Sequence, residues 1–494
     1  MNRTPVAEQP IPQTTPASGK PVRQDAAGAA PPGRPGLILG LVLGGQFMAL
    51  LDLTIVNVAV PSMRTDLGAS GAAMQFVVAG YTIAYAVLLI TGARLGERLG
   101  YGRVFESGLA LFTLFSLACG LAPDTGALIG FRLAQGVGAA LMVPQVMSLI
   151  QRTFTGPSRV RALSVYTAVL ATGGLAGQVL GGVLVSADLF GSGWRPVFLV
   201  NVPIGLALLV ASRRLLPAYP PSPGRSLDLL GLVLLAAAIG LLVVPLVLGH
   251  DEHWPVWGWV MFAAAALVFA VFVLVEHRLA ERGGHPLIHR RVLRSPGMVP
   301  AAAAVFLVMA AVSGFSFSMT LHLQAGLGAS PLRAGLSIAP MMVGFGLAGL
   351  YWQRLPKRLH RPLPALALLA VTVLFAVLGL WLRSGSPLDA GQEVLFLLVG
   401  FTGGCSYSPL FARALGRVDP AQAADASGVL ITVLQLSQVV GVAAVGSVFL
   451  GQVSYPASHA ASGHALAVVM FVCAALYLSA SVFAHRTRLV LSKR

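Results

Sequence analysis

The sequence predicts an all-α polytopic membrane protein with fourteen transmembrane helices and both termini in the cytoplasm. Three observations carry this prediction. The 494 residues are 56% hydrophobic and only 10% charged, where a soluble domain carries roughly 25% charged residues. No soluble core could hide so much apolar surface, whereas the bilayer accepts it. Apolar segments of spanning length also follow one another with short breaks. Finally, the basic residues fall almost entirely on one side of those segments.

Residues 1–35 are rich in Pro, Ala, Gly and Gln without apolar periodicity, and read as a disordered cytoplasmic tail. They lack the short apolar core of a signal peptide. Spans then follow at 36–60, 73–93, 104–122, 126–150, 162–186, 196–216, 228–249, 256–276, 297–323, 332–352, 363–382, 391–412, 427–451 and 464–484. Each must be helical, because lipid leaves no backbone polar group a partner outside its own segment. With the tail inside, the outer breaks hold only Arg64, Arg195, Arg333 and Arg383. Arg132 lies within a span, and every other Lys and Arg is inside. Basic residues collect on the cytoplasmic side of membrane proteins, which fixes the orientation. The net charge of +16 is thus largely topological, with anionic lipid heads as its natural partner. No compact basic domain exists to bind nucleic acid.

Catalytic classes find little support. Cys119, Cys405 and Cys473 fall in apolar runs without metal-ligand spacing or a disulfide pattern, and read as buried thiols. There is no P-loop, no His/Glu metal pair within a span and no long extramembrane domain. The expectation is a chain that is not an enzyme and needs no metal, cofactor or obligate protein partner.

The chemistry lies in the exceptions to apolarity. Of 17 acidic residues, Asp52 is the only one well inside a span, within LDLTIVNVAVP at 51–61. A charged carboxylate at the bilayer centre costs about 2.5–3.5 kcal/mol on insertion scales. Arg132 is the only strongly basic residue within a span. Asp52 lies roughly 12 Å from the outer end of its helix and Arg132 roughly 9 Å from the outer end of helix 4, at 1.5 Å per residue, so a pair is geometrically possible. Intramembrane charges are functional-site candidates, proton relays among them. The plainer alternative is a polar contact between helices.

These residues resemble a family. LDLTIVNVAVP is similar to the helix 1 motif of the fourteen-helix drug:proton antiporters of the major facilitator superfamily. ARLGERLGYGR (93–103) resembles the signature loop between helices 2 and 3, with Glu97 where the family usually has Asp. LIGFRLAQGVGAA (128–140) resembles the helix 4 motif that carries the intramembrane arginine. GGLAGQVLGG (173–182) resembles the antiporter motif of helix 5, with Gln178 in place of proline. WRPVFLVNVPIG (194–205) resembles the entry to helix 6.

The resemblance implies a six-helix half at 36–216, a two-helix linker and cytoplasmic loop at 217–295, and a second six-helix half with a short basic tail at 296–494. Such halves rock about a midplane site. It further implies a proton-coupled exporter of amphipathic organic molecules, expected to be cationic or zwitterionic, in the plasma membrane. The proton gradient supplies the energy. Asp52 would be the titratable group, tuned by Arg132. An uptake carrier for a metabolite or siderophore on the same fold is the alternative reading.

Other residues take roles within this frame. Glu97 with Arg94, Arg98 and Arg103, around Gly100, would form a breakable ion-pair latch; plain positive-inside charge would read the same way. Gly173, Gly177 and Gly181 recur on one face of helix 5, and Gly174 and Gly182 widen that patch, a spacing that lets helices approach closely. Gln178 removes the proline kink and would bond across an interface or face the cavity. Candidate cavity residues are Asn57, Gln135, and Tyr81 with Tyr85, one turn apart on a shared face. Ser313, Ser316, Ser318, Thr320, His322 and Gln324 make helix 9 polar, with His322 and Gln324 expected near water at its outer end. Met341 and Met342 in helix 10 could offer an adaptable apolar wall, and packing would explain them too. In helix 13, Ile431 and Leu434 stand where the family often has Asn and Arg.

Overall fold

The structure, a computed structural model, describes residues 35–216, 228–249, 252, 254–284, 286–287, 290–385, 389–415, 423–453 and 458–492. The tail expected over 1–35, Pro35 apart, and the segment 217–227 lie outside these residues. The long helices are α1 (Pro35–Asp66), α2 (Gly71–Leu99), α3 (Tyr101–Gly120), α4 (Thr125–Thr153), α5 (Gly156–Ala187), α6 (Pro196–Leu215), α7 (Leu229–Leu248), α8 (Val256–Glu281), α9 (Met298–Leu321), α10 (Pro331–Tyr351), α11 (Leu363–Leu382), α12 (Ala390–Leu415), α13 (Ala423–Leu450) and α14 (His459–Ser492).

Thirteen of these are long and apolar enough to cross a membrane. The other is α5. It has spanning length at 32 residues, but its counted apolar part, Thr172–Ala187, is shorter than a span. Its first turns carry Arg159, Arg161, Ser164, Tyr166 and Thr167, which dilute the apolar run. Local chemistry sets several boundaries. Ser70, Asp124 and Ser330 accept from the backbone N–H three residues on, at 3.1, 2.8 and 3.3 Å, capping α2, α4 and α10. Proline opens α6 and α10, where its missing N–H is no loss. Gly100, at φ +98°, lets the chain turn directly from α2 into α3.

Two helical bodies result. In the first, α4 packs on α2 and α3, α1 on α5, and α3 on α6. In the second, α9 packs on α13 and α14, α10 on α12, and α11 on α14. The helices α7 and α8 pair with each other, and α7 lies against both α2 and α13. That junction is apolar, joining Ala79 and Val87 of α2, Ile239 and Val243 of α7, and Val439 of α13. At the tip of the α7–α8 pair, Trp254, Trp259 and Phe262 cluster with ring centroids about 6 Å apart, an aromatic belt of the kind that sits at headgroup level.

The arginine distribution makes the Asp66 end of α1 outer. In that sense the two bodies close on each other in the outer half of the molecule, mainly through α5 with α10 and α2 with α13. Gln324 donates across to the Val58 carbonyl at 2.8 Å. The Leu332 N–H donates to Ser186 Oγ at 3.0 Å, and Ser447 Oγ to Gln75 Oε1 at 3.3 Å. Outside this closure a vestibule of about 570 Å³ is lined by Pro61, Arg64, Leu321, Gln324 and Pro331, among others.

The glycines of α5 make two seams. Gly177 and Gly181 face α1, where an added Cβ would lie 2.7 Å from the Leu51 oxygen and 2.9 Å from the Ile55 oxygen. Gly182 faces α10, and a Cβ there would lie 2.7 Å from Leu332 Cα and 2.9 Å from the Pro331 oxygen. The single patch expected from the sequence is therefore two surfaces, because residues 181 and 182 are turned 100° apart on a helix.

Two outcomes are expected. A cysteine at position 192 reacts with a membrane-impermeant maleimide added to intact cells, while one at position 158 does not; the reverse pattern would invert the orientation. Gly182→Val wedges the α5–α10 seam, so spin labels at positions 68 and 329 shift to longer distances. An unchanged distance distribution would show that this seam does not hold the outer side closed.

Candidate functional site

Asp52 sits in the middle of α1, where the chain would be apolar but for the need of a charge. Its side chain is fully buried, and Arg132 of α4 is 1% exposed. Arg132 Nη1 donates to Asp52 Oδ2 at 2.5 Å and to Gln135 Oε1 at 2.6 Å. Gln135 lies one helical turn further along α4, on the same face. Its Nε2 donates to Asp52 Oδ1 at 2.9 Å and to Ser116 Oγ of α3 at 2.7 Å. Asn201 of α6 adds a donor to Asp52 Oδ1 at 3.3 Å. Arg132 Nε is satisfied by the Val77 carbonyl of α2 at 3.1 Å.

The walls are aromatic. The guanidinium carbon lies 4.6 Å from the Tyr81 ring centroid and 5.6 Å from that of Phe198, positions that favour a cation over the ring face. Tyr81 is itself fixed by its hydroxyl, which donates to the Ala49 carbonyl at 3.3 Å, and by an edge contact to Phe112. Phe198 is braced edge-on by Trp194. Trp194 Nε1 and Arg195 Nη1 both donate to Asp66 Oδ2 at 2.9 Å, tying the outer end of α1 to the start of α6. Arg195 is therefore an ion-pair partner as well as an outer-loop charge.

Of the residues expected around the cavity, Gln135 and Tyr81 belong instead to this enclosed network; both are fully buried. Tyr85 lies outside it and hydrogen-bonds Gln435 of α13. Asn57 is half-buried, with an amide oxygen that is shielded and unpartnered among the described residues. Gln178 is buried in α5 with its amide oxygen unpartnered among the described residues, and its backbone oxygen is where Gly335 of α10 makes its close approach. His322, expected near water, is buried instead; its Nδ1 lies 2.8 Å from Ser462 Oγ of α14. The cause is a π-helical turn at His322–Gly326, which packs that segment on α14.

At the inner face, Arg94 is buried and donates to the Pro286 carbonyl at 2.5 Å, in the segment after α8. Glu97 is half-exposed, and Arg98 and Arg103 are exposed. All three cysteines are buried. No group of three or more metal-ligating side chains occurs among the described residues.

Sequence reasoning missed Ser116, Asn201, Phe198 and Trp194. The last three lie in the quoted WRPVFLVNVPIG stretch, which did carry a signal. Ser116 is a small hydroxyl in an apolar run, with nothing in the sequence to distinguish it.

Comparison with known proteins agrees with this architecture. The chain is 38% identical to the probable actinorhodin transporter of Streptomyces coelicolor over 432 residues, covering 86% of this chain and 74% of that protein. It is 36% identical to the cephamycin export protein CmcT of Amycolatopsis lactamdurans, covering 85% and 87%. Among solved structures it resembles a bacterial homolog of the human lysosomal transporter Spinster, with a TM-score of 0.68 at 16% identity over 94% of this chain and 99% of that one. The profile of the Major Facilitator Superfamily matches residues 42–442. With helices of spanning length packed as two bodies around a linker pair, this chain is a multi-pass cell-membrane transporter of the Major Facilitator Superfamily.

Proposed function

We propose that this transporter exports amphipathic organic compounds, antibiotics among them, in exchange for protons, with Asp52 as the group that carries the proton. The observation that supports this most is the enclosure of one carboxylate, alone of its kind in the middle of a span, against one arginine. Efflux as the direction is supported by relatives named as antibiotic exporters.

The coupling follows from the packing. Ionised Asp52 draws together α1, α4, α3 and α6 through Arg132, Gln135 and Asn201. A proton on Asp52 cancels the charge attraction to Arg132 and converts one carboxylate oxygen from acceptor to donor. The network then has to rearrange. Residues 51–55 of α1 meet the Gly177 and Gly181 face of α5, whose adjacent face meets α10. A shift of α1 therefore reaches the outer seam without the substrate touching Asp52. Direct competition of proton and substrate for the carboxylate, the simplest expectation from the sequence, is replaced by competition between two arrangements of the helices.

Asp52→Asn keeps the shape but leaves Arg132 without its countercharge, and breaking a buried pair on one side costs about 3–5 kcal/mol. The single variant is therefore expected to unfold at lower temperature, and Asp52→Asn combined with Arg132→Met to recover much of the loss. In proteoliposomes with an imposed pH gradient, both variants should lose gradient-driven export while the wild type accumulates substrate. Export by the folded double variant at the wild-type rate would make the carboxylate structural.

A further inference from the structure

We propose that the site between the two bodies takes an uncharged, flat aromatic molecule bearing hydroxyl or carbonyl groups, and discriminates against organic cations. This deepens the exporter reading and rests on it.

The basis is the distribution of charge and of polar aromatics. In α1, α2, α4, α5, α9, α10, α12 and α13, which hold the contacts between the bodies and the charged network, every acidic residue other than Asp52 lies near a helix end: Asp66, Glu97, Glu393 and Asp425. Asp52 itself is fully buried and already meets Arg132, Gln135 and Asn201. A cationic substrate between the bodies would find no carboxylate to replace its water. A buried charge without a counter-ion is strongly disfavoured. Cation–π contact with a tyrosine recovers only part of that loss.

The groups that do converge there are neutral. Tyr85 of α2 hydrogen-bonds Gln435 of α13, and Gln438 Nε2 donates to Gln435 Oε1 at 2.9 Å. Tyr166 of α5 lies within electrostatic range of both Tyr85 and Tyr407 of α12, so tyrosines from both bodies surround one region. Tyr407 continues an aromatic strip, its ring 5.6 Å from Phe345 of α10 and 5.7 Å from Phe411. Phenol hydroxyls donate and accept, and amides offer both. Ring faces set at this spacing accept a further flat ring by offset stacking. Hydroxyl and carbonyl substituents on a fused aromatic satisfy both demands; a fixed positive charge satisfies neither.

The test uses the full-length protein in lipid nanodiscs at pH 6.5, without a gradient, and two tricyclic probes of matched size. These are 1,8-dihydroxyanthraquinone, which is uncharged, and 10-methylacridinium, which carries a fixed positive charge. Empty nanodiscs give the partitioning background. The wild type should bind the anthraquinone saturably and show no saturable binding of the acridinium. Tyr407→Leu and Gln435→Leu should each weaken anthraquinone binding at least tenfold. Tyr407→Phe, which keeps the ring and the packing, should weaken it less than Tyr407→Leu. The Asp52→Asn, Arg132→Met double variant should bind as the wild type does. Saturable acridinium binding, no anthraquinone binding by the wild type, or unchanged binding in the Tyr407 and Gln435 variants would each overturn the proposal. Because equilibrium binding needs no proton movement, failure here leaves proton-driven export standing. Loss of gradient-driven export in turn leaves this binding result intact.

Discussion

The ion pair between Asp52 and Arg132 is the constraint around which the amino-terminal body is built. Two charges removed from water lose several kcal/mol each, and their attraction offsets this only when the remaining donors and acceptors are also matched. Here the matching is done by four other helices or helix positions: Gln135, Ser116, Asn201 and the Val77 carbonyl. Tyr81 and Phe198 close the aromatic walls. α1, α2, α3, α4 and α6 are thus held in register by a polar cluster inside an otherwise apolar bundle. In lipid, where apolar faces find tails as good as side chains, such a cluster and close van der Waals packing are what distinguish one helix arrangement from another.

Small residues supply the second requirement, which is transmission. Helix α5 touches α1 through Gly177 and Gly181, and α10 through Gly182. Contact at backbone distance leaves no flexible side chain to absorb a displacement, so α1, α5 and α10 move as neighbours or separate. The outer closure adds hydrogen bonds on the same side, from Gln324 to the Val58 carbonyl and from the Leu332 N–H to Ser186. Val58 belongs to α1 as well. The helix that carries the charge is therefore joined to the outer seam twice, directly and through α5.

Much of this was legible in the sequence, and the reasons differ by residue. The spans follow from apolar length, and the Asp52–Arg132 pairing from two lone charges at similar depth. Helical spacing could not separate Tyr81 from Tyr85. They share a face of α2, yet α4 crosses at Tyr81 through Gly136, so Tyr81 is enclosed while Tyr85 reaches α13. Gln135 had the same ambiguity, since a polar residue one turn from an intramembrane arginine suits a cavity or an interior equally. His322 was misplaced because distance from a helix end says nothing of a π turn that packs the segment on α14. Asn201 was within view in a recognised stretch, but only the fold brings it to Asp52 from a helix 149 residues later.

The two kinds of chemistry end up in different places. Charge lies inside one body, at 0% and 1% exposure, while the tyrosines and glutamines of α2, α5, α12 and α13 lie where the bodies meet. A proton bound at Asp52 and a molecule bound among Tyr85, Tyr166 and Tyr407 thus share no ligand atom. Their coupling free energy must come from the difference each makes between two packings of the same helices, and it is reciprocal. That separation lets the seam be neutral. A site that does not have to hold the proton does not need a carboxylate, and without one its selectivity rests on ring shape and hydrogen-bond pattern.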